Sequence, residues 1–180
     1  FLDAENSSQS KLENKSYSKI ITSYNTNQIF KTYQMYKKDS LNELQYDLNT
    51  FENFGIKLVR GAYYKTDYKS NLLFDNINDT HDNYNEAVKL IIYEINKNPN
   101  RLKLLIATHN KESIIKALEL KPNKNNVYFG QLMGIGDTIS KLCISNEYIV
   151  YKYTPFGGII ESMPYLLRRL YENKEILKYV

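Results

Sequence analysis

The 180 residues carry 24 Lys+Arg against 20 Asp+Glu, a formal charge of +4, and are 42% hydrophobic and 13% aromatic; this suits one domain with a core and excludes collagen-like and wholly disordered chains. A single cysteine, Cys143, excludes an internal disulfide, and with only two histidines a Cys/His zinc centre lacks ligands, so no metal is expected. The charge excess is mild and its lysines are dispersed, which implies no nucleic-acid surface, and no apolar run approaches the roughly 18 residues of a membrane span.

Six β-rich runs are expected in chain order: Phe1–Ala4, Ile29–Tyr36, Ile56–Tyr64, Leu102–Thr108, Val127–Met133 and Tyr148–Tyr153. Between the first two, the polar stretch from Asn6 to Gln28 reads as a poor helix flanked by loops. Ser40-Leu-Asn-Glu43 fits a capping box, followed by Leu41, Leu44, Leu48 and Phe51 at helical spacing. Tyr84, Val88, Ile91 and Ile95 repeat that spacing before Lys97-Asn-Pro-Asn100 stops the run. Asn110 is expected to cap a helix carrying Ile114, Ile115 and Leu118, and Asp137 one carrying Ile139 and Leu142. A last helix follows Gly157-Gly158. Alternating strands and helices predict a parallel sheet, either an open doubly wound one or part of an eight-stranded barrel. No Gly-rich nucleotide loop follows any strand, which weakens the first version. A complete barrel needs about 200 residues or more, so a barrel built from this chain is a partial one of about six strands.

In both architectures ligands bind at the carboxyl ends of the strands. Those ends hold Asp3 and Glu5, Gln34, Arg60-Gly-Ala-Tyr63, Thr108-His109-Asn110, Gln131 to Gly136, and Tyr153 to Gly157. In the third strand, alternation puts Lys57, Val59, Gly61 and Tyr63 on one face and Leu58, Arg60 and Ala62 on the other. Lys57 then either points into a cleft or reaches solvent from a strand start. Gly61 next to Ala62 opens the backbone to close approach by a flat ring or a phosphate. In the last helix Tyr165, Arg168, Arg169 and Glu172 share one stripe, opposite Leu166, Leu167 and Leu170. That stripe is either a solvated face with an internal Arg–Glu pair or a guanidinium pair awaiting a carboxylate. His81 lies in a polar run and reads as solvated; His109 ends a strand and is the better candidate. Cys143 reads as core.

Together these residues resemble the C-terminal part of the proline dehydrogenase (proline oxidase) family, in its eukaryotic form. The matching pieces are Asp3-Ala-Glu5, Thr32-Tyr-Gln34, Lys57-Leu-Val-Arg-Gly-Ala-Tyr63, Ala107-Thr-His-Asn110, Gly130-Gln-Leu-Met-Gly134, Tyr151-Lys-Tyr153 and Tyr165-Leu-Leu-Arg-Arg-Leu-Tyr-Glu-Asn173. The resemblance implies a (β/α)8 TIM-barrel-like fold with non-covalent FAD. It implies oxidation of L-proline to Δ1-pyrroline-5-carboxylate, the first step of proline catabolism, with hydride passing to flavin N5 and electrons going on to a quinone. It assigns Asp3 and Lys57 to catalysis, and Ala4, Gln34, Val59, Arg60, Gly61, Ala62, Thr108 and His109 to FAD. It assigns Tyr63, Leu132, Tyr153 and Tyr165 to the walls around proline, and Arg168 and Arg169, with Glu172 on their stripe, to its carboxylate. Asp3 is expected to orient Tyr153 by accepting its phenolic hydrogen bond. The resemblance further implies a mitochondrial location, on the inner membrane or matrix side, with peripheral membrane association.

Many bacterial members of the family have Arg where this chain has Lys57. The family's first two barrel strands have no counterpart here, so residues 1–180 are expected to be the C-terminal part of the catalytic domain, inactive alone. Two other readings stand beside this one: a non-catalytic remnant that keeps the cleft residues, and an unrelated (β/α) enzyme that holds a small carboxylate with Arg168 and Arg169.

Overall fold

The computed structural model describes residues 1–4, 10–62, 67, 71–154, 156–158, 163, 164 and 167, with 10–13 described through their backbone alone. Five strands form one sheet: β1 (Phe30–Gln34), β2 (Phe54–Val59), β3 (Leu102–Ala107), β4 (Val127–Leu132) and β5 (Ile149–Tyr153). Their spatial order is β1-β2-β3-β4-β5, and every neighbouring pair is parallel. A doubly wound sheet reverses its strand order at a switch point. The described sheet never does. Strands laid down in sequence order are the arrangement of a barrel wall, and this partial barrel is what the chain builds.

Among the described residues the helices delimited at both ends are α1 (Ser10–Tyr24), α2 (Ser40–Thr50), α3 (Ile77–Lys97), α4 (Lys111–Glu119) and α5 (Asp137–Ser145). They pack on one face of the sheet. That face carries Tyr33, Phe54, Ile56, Leu58, Leu102, Leu104, Ile106, Val127 and Phe129, which join Leu44, Tyr84, Val88, Ile91, Ile95 and Ile114 from the helices in a single buried cluster. Each fully buried aliphatic side chain there contributes about 1.5–3 kcal/mol. Cys143 belongs to the same core, and burial pushes its thiol up to about 11.

Several expected elements differ. The run Phe1–Ala4 is not a strand: Leu2 makes one parallel bridge to Lys31, with its amide donating to Phe30 O and its carbonyl accepting from Thr32 N. The third expected strand starts earlier and stops at Val59 rather than Tyr64. Gly61 ends it with φ of +134°, and the Tyr36 ring lies 2.3 Å from where a Cβ would stand. A side chain there would collide with the Tyr36 ring, so glycine fits this position. The capping box of α2 does not form; Asp39 is the N-cap, with no side-chain cap bond, and Ser40 donates its hydroxyl to Lys37 O instead. Gly136, in the left-handed region, caps α5 in place of Asp137. Asn110 does cap α4, accepting from Ser113 N, but Ile115 is exposed. The expected last helix lies mostly outside the described residues, with 163, 164 and 167 helical.

The helix side of β1 holds an ionic cluster. Lys31, 3% exposed, donates to Asp47 on α2 at 2.6 Å and pairs with Glu43 at 2.8 Å, while the Tyr33 hydroxyl donates to Asp47 at 2.6 Å. Burial and the Asp47 charge push the Tyr33 phenol well above its usual range. Removing one member of a buried pair strands the other charge away from water. Asp47→Ala should therefore lower unfolding stability by about 3 kcal/mol in urea titration, although no ligand contact is touched. Replacing Lys31 and Asp47 together by Met and Leu should recover most of that loss.

Candidate active site at the strand carboxyl ends

Strand alternation leaves a second face, turned away from the helices. Thr32 and Gln34 of β1, Lys57 and Val59 of β2, Leu105 of β3, Gly130 and Leu132 of β4, and Tyr151 and Tyr153 of β5 lie on it. Register puts Thr32 opposite Lys57 and Gln34 opposite Val59. Lys57 donates to Asp3 Oδ1 at 2.5 Å, and Thr32 Oγ1 donates to the same oxygen at 3.0 Å. The Lys57 ammonium also stands 5.3 Å from the centre of the Phe1 ring. Lys57 thus faces this side rather than bulk solvent from the strand start. Partial burial alone would raise the Asp3 carboxyl; the bond and charge of Lys57, with the bond from Thr32, outweigh it and hold Asp3 below its usual value.

Among the described residues, the hydrogen-bond partners of the Asp3 carboxylate are Lys57 and Thr32, and the expected bond from Tyr153 is not formed in this structure. Leu132 and Tyr153 are adjacent in register on β4 and β5 and end on the same face. Tyr63, Tyr165, Arg168, Arg169 and Glu172 lie outside the described residues.

Residues expected to hold the cofactor fall into two groups. Gln34 and Val59 share the face with Lys57. Gln34 is 4% exposed, and its Oε1 has no hydrogen-bond partner among the described residues; a buried unpaired acceptor is costly and suits an N–H donor brought by a ligand. Arg60 and Thr108 are on the helix side. Arg60 Nε donates to His81 Nδ1 at 2.8 Å, Nη1 to Thr108 Oγ1 at 2.7 Å and Nη2 to Ser113 Oγ at 2.9 Å, with the guanidinium 4.4 Å over the Tyr84 ring. Burial lowers its pKa, opposed by Tyr84 and Glu112. Arg60 therefore ties the end of β2 to the end of β3 and to the first turns of α3 and α4. Gly61 and Ala62 form the turn beyond it, and Ala4 follows Asp3.

His109 lies just past β3, and its Nε2 accepts the Leu132 amide at 2.9 Å, which leaves Nδ1 as the protonated nitrogen. Burial, then the charge of Lys152, lower its pKa. This bond fixes the β3 and β4 ends relative to each other. His81 was expected in solvent; the capped start of α3 at Asn76 carries it into the structure as the acceptor for Arg60. Thr32 and Lys152 also escaped sequence reasoning. Lys152 donates to Gln131 Oε1, Ile135 O and Asp137 Oδ1. The signal was present for both. Alternation puts Thr32 in line with Gln34 and turns Lys152 toward the loop before α5.

Comparison with known proteins matches residues 1–180 to the family model described as proline dehydrogenase. "Proline dehydrogenase 1, mitochondrial" of Dictyostelium discoideum is 37% identical over 165 residues, 81% of this chain and 29% of that protein. "Hydroxyproline dehydrogenase" of Xenopus laevis is 34% identical over 167 residues, 83% of this chain and 36% of that one. The chain thus spans about a third of the length of these curated relatives. Among solved structures, proline utilization A (PutA) from Bdellovibrio bacteriovorus, inactivated by N-propargylglycine, superposes with a TM-score of 0.81 at 24% identity, over 95% of this chain and 19% of that one, which supports the fold. With every residue inside the family model and identity above a third over four-fifths of its length, the chain belongs to the proline dehydrogenase family.

Proposed function

We propose that the protein oxidises L-proline to Δ1-pyrroline-5-carboxylate with FAD as cofactor, passes the electrons to a quinone, and works in the mitochondrion as the first step of proline catabolism. Residues 1–180 supply the C-terminal part of its (β/α)8 catalytic domain. The observation that carries this reading is the Lys57–Asp3 pair, beside a buried Gln34 whose acceptor is unpaired among the described residues, on the face of the sheet turned away from the helices in a proline dehydrogenase family chain. The mitochondrial assignment rests on the names of relatives from Dictyostelium discoideum, Homo sapiens and Arabidopsis thaliana.

The reaction breaks a C–H bond of the ring as hydride, releases the nitrogen's proton and forms a C=N bond. FAD, when bound, supplies the two-electron acceptor that takes the hydride. Gln34 and Val59 would hold it on the face that carries Lys57. Gly61, Ala62, Thr108, His109, Ala4 and the backbone at Arg60 would border it at the strand ends. Lys57 balances the Asp3 charge, so Asp3 stays ionised without an added proton. Leu132 and Tyr153 offer apolar surface for a small ring, and Arg168 and Arg169 the carboxylate clamp; fixing the ring in this way makes the transfer effectively unimolecular.

The complete protein, desalted, should keep a flavin absorbance spectrum and reduce a quinone with L-proline faster than with hydroxyproline. Lys57→Met and Asp3→Asn should each lower kcat/KM about 10- to 150-fold, the loss of one charge-assisted bond, with flavin content retained. A colourless protein, or variants as active as the parent, would sink the assignment. Arg168→Met and Arg169→Met should each raise the proline KM by a similar factor and leave a carboxylate-free amine substrate unaffected. Equal effects on both substrates would return the stripe to a solvated face.

A further inference from the structure

Asp3 is held by an unusually short piece of structure. Its segment joins the sheet through the single bridge of Leu2, and its own carbonyl accepts the Tyr17 hydroxyl of α1 at 2.6 Å. Neither contact orients the carboxylate, whose side chain is 62% exposed. Orientation comes from two donors on one oxygen. Lys57 is a flexible ammonium that turns freely about its own axis; Thr32 is a β-branched side chain on a paired strand, 7% exposed, with a restricted rotamer. Thr32 also engages the segment twice, its amide donating to Leu2 O at 3.0 Å and its hydroxyl to Asp3 Oδ1 at 3.0 Å.

We infer that Thr32 is a positioning residue for the reaction: its hydroxyl pins Asp3 Oδ1 to β1 beside Lys57, which leaves Oδ2 as the carboxylate oxygen free to meet substrate or cofactor. This rests on the function proposed above for Asp3. A threonine in a strand is ordinary β propensity, and valine would serve that purpose equally. The difference is the hydroxyl. It has one proton to donate, it is buried, and among the described residues its recorded acceptor is the Asp3 carboxylate. No hydrogen bond reaches Oδ2 from the described residues.

The sign of the pH effect follows. Asp3 is held below its usual carboxylate range, with burial opposing and Lys57 and Thr32 favouring the charged form. Activity that needs ionised Asp3 is present above the free-acid range and is lost as pH falls through its folded value. Removing the Thr32 hydroxyl raises that value, so the loss begins at higher pH. Among the described residues, the charged and titratable groups near the carboxylate are Lys57 from β2, the Phe1 ammonium on its own segment and Tyr17 from α1, whose hydroxyl donates to the Asp3 main-chain carbonyl; none is altered by a change at Thr32.

Thr32→Val and Thr32→Ser in the complete protein test this. Thr32→Val should lower proline kcat/KM about tenfold, mainly through kcat, with its acid limb displaced to higher pH and flavin content unchanged. Thr32→Ser should restore both rate and limb. Separately, melting temperatures of Thr32→Val, Asp3→Ala and the double variant should be non-additive, because each removes the same bond. An acid limb that does not move, or a serine variant that behaves like valine, overturns the inference. So does additive melting. If the parent protein turns over no proline, the functional reading fails, and the melting cycle alone then decides the Thr32–Asp3 contact.

Discussion

Parallel strands paired in sequence order put every crossover helix on one side of the sheet, and all else in this structure follows from that asymmetry. Because side chains alternate, each strand contributes half its residues to a helix-packed layer and half to the opposite face. Leu58 and Lys57 are neighbours in the chain, yet one is wholly buried among apolar side chains and the other meets a carboxylate. The core and the site are thus interleaved within the same strands. A one-residue slip of β2 would bury Lys57 and expose Leu58.

The same asymmetry separates two lysine–carboxylate pairs that differ little in bond length. Lys31–Asp47 lies under α2, with both side chains at 4% exposure or less, and a tyrosine hydroxyl completes its shell. There the cost of desolvation is offset only by a full set of partners, so the pair acts as a lock that specifies how α2 sits on β1. Lys57–Asp3 lies on the other face with Asp3 largely exposed. Water screens it, its contribution to stability is small, and its charges remain open to whatever binds there. Burial, not chemistry, divides the structural pair from the one proposed to act in the site.

Much of this was legible in the residues. Period-two and period-3.6 patterns located five strands and the helices between them, because burial of one face imposes those periods. The Phe1–Ala4 run misled because four residues cannot show a period, and its single bridge depends on tertiary contact with β1. The Ser40 and Asp137 caps misled because motif spacing names a candidate without fixing the backbone angle. In α5 the left-handed Gly136 already supplies the turn. His81 looked solvated because its sequence neighbours are polar, whereas its environment is set by Arg60, 21 residues earlier. The Arg168–Arg169 stripe lies outside the described residues, so its two readings are separated by experiment alone.

Arg60 shows how a binding motif and a scaffold share residues. Within Lys57-Leu-Val-Arg-Gly-Ala it sits two positions beyond Leu58 and therefore on the helix side. Three of its five N–H donors go to His81, Thr108 and Ser113, and its planar face rests on Tyr84. A guanidinium so engaged spans β2, β3, α3 and α4 at the level where the strands end. A ligand crossing those ends would meet the backbone of the Arg60-Gly-Ala62 turn, with the half-buried Arg60 side chain behind it. Lysine, with a single ammonium, could not make the same fork. The turn's position is then a property of the packed helix layer, and the two faces of the sheet are coupled through one residue.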